Sequence, residues 1–89
     1  MLTMKTIHHG GIKQNGVIVQ TFSAPSRQKL IYELNSWFFD YFYANKLSIL
    51  QLPPLDDWSR SIEDASYWSQ SFPDNGWEVW VRHELMEFQ

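Results

Sequence analysis

The chain contains no cysteine, which excludes disulfides, thiolate zinc sites and a cysteine nucleophile. Basic residues are also scarce: seven Lys and Arg stand against ten Asp and Glu, for a net charge of −3. They are scattered, so the basic stripe that would hold phosphates is missing and nucleic acid is disfavoured as a partner. The acids are too few and too dispersed for DNA mimicry. No stretch approaches the roughly twenty apolar residues of a membrane span. The opening Met1-Leu2-Thr3-Met4-Lys5 lacks the apolar run of a signal peptide. A cytoplasmic protein without membrane contact is therefore expected. With 89 residues, a single small domain over 1–89 is expected.

Aromatic rings are abundant: five Trp, four Tyr and six Phe. Rings bury large areas and dominate both cores and interfaces, so a chain this short can fold without staples. They concentrate in Trp37-Phe38-Phe39-Asp40-Tyr41-Phe42-Tyr43, six rings in seven positions.

Asn15-Gly16 is a strong hairpin turn signal, because a type I′ turn needs positive φ at both central residues. Closing there pairs Gln14 with Val17 and Ile12 with Val19. Ile12, Val17 and Val19 then share one face, and Lys13, Ile18, Gln20 and Phe22 the other. Gly10-Gly11 would make a bulge or bend, with Thr3 to His9 extending the first strand. Ser23 or Ser26 can cap a helix, with Pro25 in its first turn. The helical pattern runs from Arg27 to about Asn45-Lys46. At about 100° per residue, Leu30, Ile31, Leu34, Trp37, Phe38, Tyr41 and Phe42 fall in one arc that should face a sheet. Tyr32, Phe39 and Tyr43 line up on the opposite side.

Leu47 to Leu52 reads as a strand stopped by Pro53-Pro54, and Leu55 to Arg60 as a loop exposing Trp58. Ser61–Ala65 resembles a short helix. Ser66–Phe72 reads as a strand, with helix as the alternative. Pro73-Asp74-Asn75-Gly76 is a turn, and Trp77 to Leu85 alternates cleanly. Trp77, Val79, Val81, His83 and Leu85 share its core face; Glu78, Trp80, Arg82, Glu84 and Met86 share the outer one. The expected fold is α+β: an antiparallel sheet of four to five strands in the order hairpin, helix, strand, hairpin, with one long helix on one face.

Catalytic patterns are missing. His8 and His9 point to opposite faces of a strand, and with His83 match no metal-ligand spacing. Asp56-Asp57 and Glu63-Asp64 are neighbours rather than carboxylates held across a cleft. No serine sits in a Gly-x-Ser-x-Gly elbow. Gly10-Gly11 and Gly16 lie in a hairpin, with no helix N-terminus following to make a phosphate loop. Trp80 is flanked by Glu78 and Glu84, which would repel a nucleic-acid backbone. No catalytic, cofactor or metal residues are assigned.

The surplus rings point to contact. The expected function is a small non-catalytic protein-binding regulator, inhibitor or adaptor; size, acidity and absent motifs give it, by analogy, the profile of phage and mobile-element accessory proteins. Its partner-binding residues are Tyr32, Phe39, Tyr43, Trp58, Trp80 and Arg82, because Trp, Tyr and Arg are enriched at binding hot spots. The partner is another protein or a second copy in a homodimer. A third alternative is a small-ligand binder or enzyme with a pocket near Pro53-Pro54. Against all of these stands a two-sided core, in which 53–72 wraps over Tyr32, Phe39 and Tyr43.

Overall fold

The computed structural model describes residues 3–48, 51–64, 66–73 and 75–88. β1 (Thr3–Gln14) and β2 (Val17–Ala24) form the first hairpin, and α1 (Arg27–Ala44) follows. A 3₁₀ turn (Leu55–Asp57), β3 (Ser59–Arg60), β4 (Tyr67–Phe72) and β5 (Trp77–Phe88) complete the order. The strands make one five-stranded antiparallel sheet, β2-β1-β5-β4-β3, with α1 across one face. The expected α+β architecture is thus observed, with the first and last strands paired along the middle of the sheet.

Asn15 and Gly16 both have positive φ, as a type I′ turn requires. The pairing beyond the turn differs from the expected register. Gln14 faces Val17, but Ile12 faces Gln20, because a β-bulge intervenes between Ile12 and Lys13. Without the bulge, Val19, Thr21 and Ser23 would lie on the core face. The extra residue shifts the frame by one, placing Phe22 and Ala24 opposite Gly10 and His8 on that face. Ala24 is then buried and Phe22 packs against the core, while Val17, Ile18 and Val19 stay exposed.

Gly10-Gly11 is regular strand and serves both faces of the sheet. A Cβ on Gly10 would lie 3.1 Å from the Leu30 side chain, so the glycine lets α1 approach closely. One on Gly11 would lie 2.5 Å from the Trp80 indole on the opposite face.

Ser26 caps α1, its Oγ accepting the Lys29 N–H at 3.2 Å; Pro25 precedes the cap instead of entering the first turn. The helix ends in a Schellman arrangement. Lys46 takes φ 57°, Leu47 N–H donates to Phe42 O at 2.8 Å, and Lys46 N–H to Tyr43 O at 3.2 Å. Leu30, Leu34, Phe38 and Phe42 are buried against the sheet, and Ile31, Trp37 and Tyr41 pack beside them. Trp77 meets the rings of Trp37, Phe38, Tyr41 and Phe42 edge-on, at centroid distances of 5.3–5.8 Å.

The second half holds further corrections. Leu47, Ser48, Gln51 and Leu52 form no strand, and Ile49 and Leu50 lie outside the described residues. The fifth strand is supplied instead by the two residues of β3, inside the expected loop. Residues 61–64 are bends held by side chains, not a helix; Ala65 lies outside the described residues. Tyr67–Phe72 is a strand, paired on one side with β5 and on the other with β3. Trp77, Val79 and Val81 are buried on the core face as expected, whereas Leu85, beyond the end of β4, is exposed.

Candidate interaction surfaces

The angular split of α1 is observed. Tyr32, Phe39 and Tyr43 are 71%, 51% and 73% exposed, while Phe38, one residue from Phe39, is fully buried. Residues 53–64 and 66–72 therefore leave the outer face of α1 uncovered. Phe39 and Tyr43, one turn apart, stack with centroids 6.0 Å apart and planes within 9°. Tyr32, Ser36, Phe39 and Asp40 line a shallow open groove whose other wall is Gln51 and Leu52. The groove has a ring-rich floor and an acidic rim.

Trp58 is not part of any surface. It is 5% exposed, belongs to the core, and its Nε1 donates to Pro53 O at 2.9 Å. The predicted exposed loop is instead a plug. Leu52 and Leu55 pack around the same core, so the chain after α1 covers the half of the sheet that the helix leaves open. Next to Pro53-Pro54, where a ligand pocket was expected, Leu55 lines two clefts together with His8 and Arg27.

Trp80 and Arg82 lie on the open face of the sheet. Trp80 rests over Gly11 and stacks on Tyr67, with centroids 6.0 Å apart and planes within 14°. Arg82 pairs with Glu84 at 3.7 Å, and Lys13 with Glu78 at 3.8 Å. These partly exposed pairs contribute little to stability. Burial and the nearby Glu78 raise the pKa of Tyr67. Because the indole seats on a missing Cβ, Gly11→Ala is expected to cost about 1–3 kcal/mol. Urea denaturation checks this. The cost should shrink in a Trp80→Ala background, where nothing is left to collide.

His8 and His9 point to opposite faces. His9 Nδ1 lies 2.9 Å from Ser23 Oγ on the open face, with Nε2 3.4 Å from Glu84 Oε2. That separation is an ion-pair distance without hydrogen-bond geometry, and His9 Nε2 is buried without a hydrogen-bond partner. His8, on the helix face, approaches His83 with ring centroids 6.2 Å apart. Among the described residues, no three His, Asp or Glu side chains are grouped to hold a metal.

Asp64 is a turn residue. Its Oδ1 accepts Ser66 N–H at 2.9 Å and Ser66 Oγ–H at 2.5 Å, and these bonds lower its pKa. Asp56 and Asp57 sit exposed in the 3₁₀ turn.

The His8–His83 contact was not foreseen from the sequence, nor was Arg27 beside it. Burial lowers the His8 pKa below its ordinary 6.5, and the charges of Arg27, His83 and His9 lower it further. The unfolded chain thus takes up the proton more readily than the folded one. Stability should fall as pH drops from about 6.5 through the folded value, and His8→Gln should remove that component. Melting temperatures across this range, for the native chain and the variant, check the sign.

No helix among the described residues is long and apolar enough to cross a membrane. Comparison with protein-family models, with curated proteins and with solved structures finds no match.

Proposed function

We propose that the chain is a small non-catalytic protein-binding module, a regulator, inhibitor or adaptor in the cytoplasm, that docks through the outer face of α1. The observation carrying this reading is the exposed ring set Tyr32, Phe39 and Tyr43 on a helix whose other face is fully engaged with the core. Exposing such rings opposes solubility, and contiguous apolar patches on small proteins mark contact sites. Two of the rings are pre-stacked, so less side-chain freedom is lost on binding. Asp40 on the groove and Glu33 nearby favour a partner with an apolar groove rimmed by Lys or Arg.

The test is Phe39→Ser. An outer-face ring should change stability by less than about 1 kcal/mol, while removing a hot-spot ring should weaken binding by about 2 kcal/mol or more. A stability loss of about 3 kcal/mol would instead place the ring in the core. Light scattering at micromolar concentration distinguishes the partners: a dimer that Phe39→Ser dissociates identifies a second copy, and a monomer points to a different protein.

A further inference from the structure

The chain carries a net charge of −3, yet two of its three arginines, Arg27 and Arg60, gather on one tryptophan near the start of α1. The Arg27 guanidinium carbon lies 5.3 Å from the Trp68 ring centroid, and that of Arg60 5.4 Å. Arg27 also lines a narrow cleft with His8, His83, Ser66 and Trp68, which holds about one water and opens at His8 and Arg27 onto a shelf of about 550 Å³. His8 and His83 are cross-strand neighbours on β1 and β5, so the sheet register fixes their separation. The residues lining the cleft include no carboxylate. Asp64 and Glu84 border an adjoining cleft beside His83, where Asp64 binds Ser66 and Glu84 pairs with Arg82. The first turn of α1 has no acidic residue, leaving its positive end uncompensated.

We propose that the open mouth of this cleft binds a phosphomonoester, its phosphoryl oxygens held by Arg27 and His8, with His83 behind them, and its apolar ester group lying on Ile31 and Leu55. These residues are distinct from the aromatic face of α1. Arg27 from the helix and His8 from β1 both border this mouth, with His83 beside His8, an arrangement that suits an anion. The arginine fork adds paired hydrogen bonds to phosphate oxygens. Leu55, Ile31 and Gln28 continue the cleft outward from His8 and Arg27 as a mostly apolar shelf, which the ester group would cover. In the free protein the like charges oppose one another. A bound dianion relieves that opposition and draws a proton onto His8.

Titration with phenyl phosphate and with inorganic phosphate, followed by NMR at the Trp68 indole N–H and the His8 and His83 ring C–H groups, tests this. Saturable shifts at all three residues are expected, tighter for phenyl phosphate because only it covers the shelf. Affinity should fall towards alkaline pH as His8 loses its proton, and towards acid pH as the phosphate gains one. Arg27→Gln should weaken binding by about tenfold or more, and His8→Gln should flatten the alkaline limb. Lys13→Gln, on the opposite sheet face, should change neither. Absence of saturable shifts would overturn the proposal. So would unchanged affinity in folded Arg27→Gln and His8→Gln, which would assign the arginines to packing on Trp68 alone.

Discussion

Trp77→Ala is expected to destabilise the fold by about 4 kcal/mol, a large share of the stability of a small domain. Trp77 starts β5, is 5% exposed, and touches four rings of α1: Trp37, Phe38, Tyr41 and Phe42. Removing the indole takes away its transfer free energy and four edge-to-face contacts, each worth about 0.5–1.5 kcal/mol. The neighbouring rings are large and mutually wedged, so they cannot close the cavity without leaving their rotamers. Urea unfolding should show a lower midpoint with an unchanged slope. Trp77→Phe, which keeps part of the ring volume, should recover about half of the loss.

Trp58→Ala is expected to cost about 3–4 kcal/mol, although the residue belongs to neither a regular helix nor a full strand. Its ring is in the core and its N–H ties the Pro53 carbonyl, so the substitution opens a cavity and unpins the connection over β3 and β4. Leu52 and Leu55, packed against the same core, should loosen with it. Amide exchange should accelerate across 51–60 more than in α1. Trp58→Phe keeps most of the burial but strands the carbonyl, at about 1–2 kcal/mol.

The features that local chemistry dictates were readable in the chain. Asn15-Gly16 announced its turn because few residue pairs accept two positive φ angles. The ring-rich helix resolved into inner and outer sets because a 3.6-residue period fixes angle. The outcomes that depend on distant partners were not readable. Val17, Ile18 and Val19 are all good strand formers, so nothing local distinguishes a bulge from continuous pairing. The bulge is set by the need to bring Phe22 and Ala24 under α1. Leu47–Leu52 had the composition of a strand, but the edge beside β4 is filled by Ser59–Arg60. Trp58 resembled a surface residue among Asp56, Asp57, Ser59 and Arg60; its burial follows from the uncovered half of the sheet, which only the assembled fold defines. The cluster of Arg27, His8 and His83 likewise arises from β1–β5 pairing across most of the chain length.

The central claim is that the outer face of α1 exists for a partner. The most direct measurement compares the native chain with Phe39→Glu, each verified as folded by its thermal transition, in quantitative capture from the native host. A buried ring replaced by a carboxylate would abolish folding, whereas an exposed one tolerates it. The account predicts a folded variant that loses one protein retained in stoichiometric amount by the native chain. An unfolded variant, or the same proteins retained equally by both chains, would contradict it.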